Sequence, residues 1–414
     1  MFNKKRNQLP IKICIITASR SEYGLMRWLM NDLNNATDFQ LQIVVTGSHL
    51  SEEHGMTYRE IELDGFSIDA RIPLKLDIAD TVLLNQATGD LNVNLAEVFS
   101  DLKPDLVMVM GDRYELLSVL TTCVISAIPL AHISGGEITE GAIDDQIRHA
   151  MTKVSHLHYV ANEVYASRVK QMGEEMWRIC VSGEPGLDNL YRQPTLSLAE
   201  LEDDLGLDLS KPTAIVTYHP VTLHIDELDE QLKELCIALE SAASKYHLQY
   251  VITYPNADVG FDRIVAVWNK FVDGNDNRVL VKSLGQSRYL SALRSLSMMI
   301  GNSSSGLVEA PSFNMPAVNI GERQKGRMRG KNVIDVECTH TKILSGIESA
   351  LAWNSNALCF NPYGDGRSSE RVLGHLRQVF TQYNSKQLLN KKFTDMSQTL
   401  ESEKDFNRKH GNGL

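Results

Sequence analysis

Short apolar runs recur along the chain, and most of them end in a cluster of small or polar residues. The first run covers residues 12–17, and residues 25–33 carry apolar side chains at helical spacing. This order predicts a strand, a loop and a helix, which is the opening unit of a βαβ fold. Further strands of this series are predicted at residues 41–46, 106–110, 129–133, 158–161 and 179–182.

A second series of strands begins after the Gly-Glu-Pro-Gly sequence at residues 183–186. Its predicted strands are residues 214–218, 249–254, 279–282, 298–300 and 317–320. Strands that are apolar throughout and alternate with helices indicate parallel sheets covered on both faces. The prediction is an α/β chain of two Rossmann-like, doubly wound domains, residues 1–185 and 186–380. The last helices could pack back on the first domain, and the polar residues 381–414 are predicted to form a tail.

Length and composition narrow the class of protein. A chain of 414 residues exceeds what one hydrophobic core usually serves, which agrees with two domains. The chain has 43% hydrophobic residues, no apolar run of membrane-spanning length and no apolar leader, so we expect a soluble cytoplasmic protein. Its six scattered cysteines form no CxxC pair, which suits reduced thiols. The net charge of -11 argues against general nucleic-acid binding.

Residues 301–311 (GNSSSGLVEAP) are a candidate anion site. They follow a predicted buried strand, and serine and asparagine are common N-caps of helices. The first amides of a helix lack partners within it, and small residues let a phosphate approach them. Glu309 would lie further along the helix, where its carboxylate could accept hydrogen bonds from two ribose hydroxyls. An ordinary capped helix explains the same pattern, and the segment matches no Walker or GxGxxG motif.

Titratable residues gather after the predicted strands of the first domain. Asp112 and Arg113 follow one strand, where their burial is costly unless they form an internal network or meet a ligand. Both explanations stay open. Residues 132–137 (HISGGE) and 144–149 (DDQIRH) form the densest titratable cluster of the chain. Capping of a helix explains one carboxylate of this cluster but not all three. Neighbouring carboxylates shift each other's pKa, which general acid–base chemistry requires.

Other loops carry a cation or a transferable proton. Arg20 follows the first strand and could meet a phosphate, and His219 follows residues 214–218 and could protonate a leaving group. A solvated arginine and a structural histidine are the alternatives. Residues 321–331 carry a cation at every second position, which suits a diphosphate, a solvated loop or a nucleic-acid patch. No metal-binding motif is present, and the missing GxGxxG argues against a dinucleotide oxidoreductase.

In this order and spacing, the motifs resemble those of the UDP-N-acetylglucosamine 2-epimerase family, and specifically its hydrolysing, sialic-acid-type branch. The resemblance covers nearly the whole chain. Its motifs are SRSEYG at 19–24, TGSHLS at 46–51, GDR at 111–113, HISGGE at 132–137, IDDQIRH at 143–149, HP at 219–220, and residues 301–311 and 321–327.

The resemblance implies a GT-B-like fold, in which the two domains face a central cleft and the second holds most of UDP. The residues expected to bind UDP or substrate are Arg20, Arg113, Asn256, Ser303, Ser304, Glu309 and Arg323. The serines would hold the diphosphate and Glu309 the ribose. The resemblance also implies no cofactor, a UDP-sugar as the small-molecule partner, no nucleic-acid or membrane partner, and a homodimer or homotetramer.

The same resemblance implies the reaction. Enzymes of this branch eliminate UDP to a glycal-like intermediate, and water then adds with inversion at C2 to release a free N-acetylmannosamine-type sugar. Because the C2 proton is not acidic, ionisation of the anomeric C–O bond must develop charge first, and cations would stabilise the departing diphosphate. The predicted catalytic residues are Asp112, Glu137, Asp144 and His219.

Ser134 departs from the family pattern, because some members carry a catalytic Glu at this position. The acid–base role is therefore assigned to Asp112, Glu137 and Asp144. The serine-containing motif is similar to that of a subgroup that uses UDP-2,4-diacetamido-2,4,6-trideoxyglucose to make legionaminic acid precursors. The other candidate substrate is UDP-N-acetylglucosamine, and both products feed nonulosonic acid synthesis.

Three other functions stay open at this point. A non-hydrolysing epimerase would keep UDP on the sugar, and a GT-B glycosyltransferase would need an acceptor and leave C2 untouched. A catalytically inactive nucleotide-sugar sensor would hardly need the carboxylates at residues 137–145.

Overall fold

The computed structural model describes residues 9–52, 55–74, 81–139, 143–255, 260–354 and 359–395. Backbone contacts divide the chain into two compact units. The first contains Met1–Asp188 together with Gly366–Leu414, and the second contains Asn189–Asp365. The sequence places the first boundary at residues 185 and 186 and the second at 380, so the two divisions differ mainly toward the carboxyl terminus.

Within the described residues, the first unit is built on a seven-stranded parallel sheet in the order β3-β2-β1-β4-β5-β6-β7. Its strands are β1 Ile11–Thr17, β2 Phe39–Val45, β3 Ala70–Arg71, β4 Leu106–Met110, β5 Leu130–Ile133, β6 Leu157–Val160 and β7 Ile179–Val181. The strand order reverses between β1 and β4. Its first helices are α1 Arg20–Asn35, α2 Tyr58–Leu63, α3 Thr81–Leu102, α4 Glu115–Ile125, α5 Ile143–Val154 and α6 Glu163–Gln171.

Both faces of this sheet are buried. Ile13 and Ile15 of β1 belong to one apolar core, and Cys14 and Ile16, which point to the other side, belong to a second. Helix α1 packs on the first core, and helices α3, α4 and α5 pack on the second. A parallel sheet needs this double cover, which explains why β1 has no alternation of polar and apolar residues.

The second unit repeats the design. Its described part has a six-stranded parallel sheet in the order β10-β9-β8-β11-β12-β13, which reverses between β8 and β11. The strands are β8 Thr213–Thr217, β9 Gln249–Thr253, β10 Arg278–Val281, β11 Met298–Gly301, β12 Ala317–Ile320 and β13 Val333–Val336. The helices are α7 Asn189–Arg192, α8 Leu198–Leu205, α9 Leu228–Tyr246, α10 Phe261–Val272, α11 Gly285–Ser295, α12 Ser305–Val308 and α13 His340–Leu351. The predicted α/β class with two doubly wound sheets is confirmed.

The chain then returns to the first unit through α14 Ser368–Gln382 and α15 Ser385–Leu388. Tyr383 stacks on Trp177 with 4.4 Å between the ring centroids. Lys391 Nζ lies 2.7 Å from the fully buried carboxylate of Glu174. Residues 381–395, which the sequence assigns to a polar tail, are therefore packed against the first unit.

Among the residues that the structure describes, no helix is both long enough and apolar enough to cross a bilayer.

Candidate active site

Polar residues gather in each unit at the point where the strand order reverses. In the first unit, residues 18–22 follow β1 and residues 111–113 follow β4; in the second, His219 follows β8 closely and Asn302 follows β11. Open parallel sheets bind their ligands beyond the carboxyl ends of the strands at such a point. Each unit therefore carries one candidate site.

Arg113 lies between two carboxylates in the first unit. Its guanidinium donates two hydrogen bonds to Glu115, at 3.2 and 2.8 Å, and its Nε lies 3.8 Å from Glu22 Oε1. The Glu115 side chain is almost fully buried, whereas the Arg113 side chain is about one-third exposed. This arrangement holds the cation in place and leaves part of it open to a ligand.

Glu22 is a buried acid at the amino end of α1. Its Oε2 accepts a 2.7 Å hydrogen bond from the Ala18 amide, and its Oε1 is buried without a hydrogen-bond partner. Burial raises the pKa of Glu22 to about 7, although the Ala18 amide and the Arg113 guanidinium oppose the shift. The carboxyl group therefore gains or loses a proton near neutral pH.

This shift predicts how stability depends on pH. Because the pKa of Glu22 is higher in the folded protein than in the unfolded chain, the folded state binds more protons between these pKa values, and stability falls as pH rises toward 7. Glu22→Gln removes the buried charge, so it is expected to stabilise the protein at pH 8 by on the order of 2 kcal/mol, and by much less at pH 5. Denaturant unfolding at both pH values measures the difference.

The matched control for that experiment is Glu60→Gln, because Glu60 is an exposed carboxylate that pairs with Arg20. We expect little pH dependence in its effect, since exposed pairs contribute little to stability. An equal effect of Glu22→Gln at pH 5 and pH 8 would contradict the assignment.

Asp112 pairs with Arg148 of α5, not with its neighbour Arg113. Arg148 also donates to Thr139 Oγ1 at 2.9 Å, and its side chain is 5% exposed. The pKa of Asp144 is raised, first by burial and second by the negative charge of Asp112. The charge of Asp112 thus favours the protonated form of Asp144.

The HISGGE segment lies on the strand next to Asp112. His132 is fully buried; its Nε2 donates to the Gly111 carbonyl at 2.7 Å, and its Nδ1 lies 3.1 Å from Thr152 Oγ1. Burial lowers the pKa of His132 to about 3, so the ring is neutral and fixes the GDR loop. Gly136 has φ +79°, and a side chain there would meet the Tyr165 carbonyl. Glu137, the predicted catalytic acid of this segment, is 7% exposed.

Arg20 occupies a different environment from Arg113. It is the first residue of α1, its side chain is 57% exposed, and its Nε lies 2.9 Å from Glu60. Exposed pairs of this kind are weak, so a diphosphate could displace Glu60.

In the second unit, Asn302 connects three predicted site elements. Its Oδ1 accepts from the His219 amide at 2.7 Å, and its Nδ2 donates to the His219 carbonyl at 2.8 Å. Its own carbonyl accepts from Arg323 at 3.1 Å and from Gln324 at 2.9 Å. The side-chain amide of Asn302 thus holds His219, and its backbone carbonyl holds the basic loop. Asn302 therefore fixes His219, the serine loop and the basic loop relative to one another.

His219 is 7% exposed and carries no charge at neutral pH. Burial and the nearby Arg323 guanidinium lower its pKa to about 4. The neutral ring can donate a hydrogen bond to a leaving phosphate. Full proton transfer from His219 would require the ligand's negative charge to raise this pKa.

The helix predicted after the serine loop is shorter than expected. Helix α12 has four residues, Ser305–Val308, and Glu309 is its C-cap, followed by a 3₁₀ turn at Ala310–Phe313. A single turn has a weak dipole, so hydroxyls and backbone amides of residues 303–305 carry more of the anion-binding argument than the helix does.

Glu309 is linked to this loop through Ser305. The Tyr289 hydroxyl donates to Ser305 Oγ. Burial raises the pKa of Glu309, and the Ser305 hydroxyl bond opposes the shift. Asn256, the remaining predicted UDP-binding residue, lies outside the described residues.

The predicted site residues do not include Glu22, Glu115 and Asn302, although Glu22 and Asn302 lie within predicted motifs. Glu22 lies three residues after Ser19, a spacing that indicates a helix cap and could have drawn attention to a buried acid. The contacts of Glu115 and Asn302 join residues that are distant in sequence or have no recognisable motif.

Two sheets of this topology, with polar residues at their points of reversal, define a two-domain α/β protein of the nucleotide-binding kind. A crystal structure of a putative UDP-N-acetylglucosamine 2-epimerase from Listeria monocytogenes has this fold, with a TM-score of 0.74 at 19% identity over 91% of this chain and 98% of that one. The Neisseria meningitidis UDP-GlcNAc 2-epimerase bound to UDP-GlcNAc also has a TM-score of 0.74, at 17% identity over 89% and 100%. These likenesses concern the fold.

The family follows from the sequence. A model of the UDP-N-acetylglucosamine 2-epimerase family matches residues 31–377, and the chain belongs to this family. It is 41% identical to the GDP/UDP-N,N'-diacetylbacillosamine 2-epimerase (hydrolyzing) of Campylobacter jejuni, over 79% of this chain and 84% of that one. It is 37% identical to the UDP-N,N'-diacetylbacillosamine 2-epimerase (hydrolyzing) of Legionella pneumophila, over 89% and 96%. The predicted family and hydrolysing branch are confirmed.

Proposed function

We propose that this chain is a hydrolysing UDP-sugar 2-epimerase whose substrate is UDP-2,4-diacetamido-2,4,6-trideoxyglucose, also called UDP-N,N'-diacetylbacillosamine. The observation that carries the proposal is the 37–41% identity, over most of the chain, to two hydrolysing enzymes named for that sugar. The products are UDP and the free manno-configured sugar, a precursor for nonulosonic acid synthesis. The 37% identity to the polysialic acid biosynthesis protein P7 of Escherichia coli supports the same pathway type.

The second unit supplies the groups proposed to hold UDP. Ser303 and Ser304 bind the diphosphate, Glu309 accepts from the ribose hydroxyls, and Arg323, held by the Asn302 carbonyl, adds positive charge. His219 donates a hydrogen bond to the leaving phosphate. Asn256 is kept in this proposal as a further UDP contact from its position after β9.

The first unit supplies the proposed acid–base chemistry. Arg20 and Arg113 stabilise the negative charge that develops on the diphosphate as the anomeric C–O bond breaks. Asp144, with its raised pKa, suits a proton donor, and the charge of Asp112 favours its protonated form. Glu137 is the third carboxylate of the group. The alternatives of a non-hydrolysing epimerase and a glycosyltransferase are not favoured by the similarity to hydrolysing enzymes.

UDP-N-acetylglucosamine is the second candidate substrate, supported by 30% identity to the UDP-N-acetylglucosamine 2-epimerase of N. meningitidis serogroup B. Incubation with each UDP-sugar separately, followed by NMR of the products, tests the proposal. We expect UDP and a free manno sugar from the diacetamido substrate, with kcat/KM at least about tenfold higher than for UDP-N-acetylglucosamine, which corresponds to about 1.4 kcal/mol. Higher efficiency with UDP-N-acetylglucosamine would reverse the substrate assignment, and a product still linked to UDP would refute hydrolysis.

We further propose that the enzyme works in the cytoplasm as a homodimer or homotetramer. All six cysteines are unpaired, as is usual in reducing compartments. Helices α3 and α4, which pack together, carry exposed apolar side chains at Val82, Leu83, Val93, Leu117, Val124 and Ile125. Exposed apolar side chains on two packed helices favour association.

Light scattering tests the association. We expect a mass of twice or four times 46.3 kDa, and a smaller assembly for Ile125→Asp. The control is Leu63→Asp, which changes an equally exposed apolar side chain on α2. A monomeric wild-type protein would contradict the proposal.

A further inference from the structure

A buried carboxylate lies at the candidate site of the first unit, and the mechanism above does not use it. Glu184 follows β7, is 9% exposed, and accepts a 3.4 Å hydrogen bond at Oε2 from the Ser134 hydroxyl. Ser134 directly follows β5, the neighbour of the strand that carries Asp112. The bond therefore connects a carboxylate that follows the edge strand β7 to a serine that follows β5, the strand next to β4.

The backbone holds Ser134 in an unusual conformation. Its φ is +63°, a region that residues other than glycine rarely occupy, and its amide donates to the Tyr159 carbonyl at 2.9 Å. Strain of this kind persists where the surroundings fix it, and it is concentrated at functional sites. The conformation fixes the direction of the Cα–Cβ bond of Ser134.

The segment that carries Glu184 is anchored by other groups. Ser368 Oγ donates to the Gly183 carbonyl at 3.0 Å. The Asp188 carboxylate accepts from the amides of Ser368 and Ser369 at 2.7 and 2.8 Å. These bonds hold the segment that carries Glu184 in place.

We propose that Glu184 acts through Ser134 to remove the C2 proton of the sugar. This inference rests on the proposed function. In the elimination step, the anomeric C–O bond breaks and its electron pair leaves with UDP, while the C2–H pair forms the C1–C2 double bond. The C2 proton passes to Ser134 Oγ as the Ser134 hydroxyl proton passes to the Glu184 carboxylate. Asp144 then donates a proton to the opposite face of C2, which inverts the centre, while water bonds to C1 and passes its extra proton back to the Asp144 carboxylate.

The direction of the hydrogen bond agrees with this role. A carboxylate can only accept, so the Ser134 hydroxyl donates to Glu184 and its lone pairs face away from Glu184. An oxygen whose proton is already held by a base is better prepared to accept another proton. Glu184 is thus the positioning and proton-accepting partner, and Ser134 is the group that meets the sugar.

Three variants and one control test the proposal, with UDP release from UDP-N,N'-diacetylbacillosamine as the readout. Glu184→Gln and Ser134→Ala are each expected to lower kcat about 10²- to 10⁴-fold, the usual contribution of general base catalysis, with KM changed by less than about threefold. The double variant Glu184→Gln with Ser134→Glu moves the carboxylate onto residue 134 and is expected to recover at least about tenfold of kcat over Glu184→Gln. Loss of the acidic limb of the pH profile in Glu184→Gln is a further expectation.

The control is Glu174→Gln. Glu174 is a buried carboxylate of the same unit that pairs with Lys153 and Lys391. Replacing it by glutamine therefore shows how the loss of a buried carboxylate affects stability when no catalytic group is changed. We expect a lower melting temperature with near wild-type kcat at a temperature where this variant is folded.

Wild-type kcat in either Ser134→Ala or Glu184→Gln overturns the inference, and so does failure of the double variant to recover activity while folded. If Glu184→Gln does not fold, the activity of Ser134→Ala tests the inference. A purely structural role of Glu184 predicts that Ser134→Ala keeps its activity, whereas the proposed role predicts that Ser134→Ala loses it. Absence of UDP release by the wild-type enzyme from either UDP-sugar would instead refute the proposed function.

Discussion

Asp112→Asn is expected to lower kcat for UDP release by about 10²- to 10⁴-fold while UDP affinity stays within about threefold. The asparagine keeps the shape of the side chain but removes the negative charge that raises the pKa of Asp144. Asp144 then loses its proton at a lower pH. The expected result includes a pH profile of kcat whose basic limb moves to lower pH, together with near-normal binding of UDP by calorimetry.

The control for this prediction must separate chemistry from folding, because Arg148 is buried and Asp112 is its ion-pair partner. Asp145→Asn serves this purpose: Asp145 lies 4.0 Å from Arg148 and accepts from the Thr139 amide at 2.7 Å. We expect this variant to lose stability but to keep kcat within about tenfold. A catalytically normal Asp112→Asn would remove Asp112 from the acid–base group.

Gly301→Ala is expected to destabilise the second unit by more than about 3 kcal/mol and to abolish UDP binding at temperatures where wild type binds. Gly301 ends β11 with φ +139°, and a Cβ there would collide with the Thr217 carbonyl oxygen. The strand would have to separate from β8 at the point where Asn302 contacts His219. Thermal unfolding with and without UDP measures both effects.

Gly274→Ala is the matched control, because Gly274 also has a positive φ, +69°, but no atom lies within 4 Å of a Cβ built there. Only backbone strain is added, and the expected effect is about 1 kcal/mol with UDP binding unchanged. Equal effects of the two substitutions would mean that the close contact at Gly301 is relieved by a small shift.

The sequence predicts the strands in the interior of each sheet and also the edge strands β7 and β10, whose residues are mostly apolar. Residues 106–110 and 317–320 are predicted and observed with the same bounds. Strands β3 and β13 were missed: the first has two residues, and the second lies at a sheet edge with a polar residue, Asp335, in its centre. Edge strands need less apolar sequence, so their signal is weaker.

Some features of the candidate site could be predicted from the sequence and others could not. The order of apolar runs predicts which residues follow the strands. It places Asp112, Arg113, His219 and the serine loop correctly at the carboxyl edges of their strands. Partners could not be predicted, because they come from other elements: Arg148 reaches Asp112 from α5. The length of α12 was also overestimated, since the apolar residues that follow the serines continue into a 3₁₀ turn containing Pro311.

The central claim is that the enzyme breaks the bond to UDP and exchanges the proton at C2. The most direct test is turnover of UDP-N,N'-diacetylbacillosamine in heavy water, followed by proton NMR of the sugar. The account predicts UDP and a free manno-configured sugar that carries deuterium at C2. A sugar still attached to UDP, or a free sugar that retains its C2 proton, would contradict it.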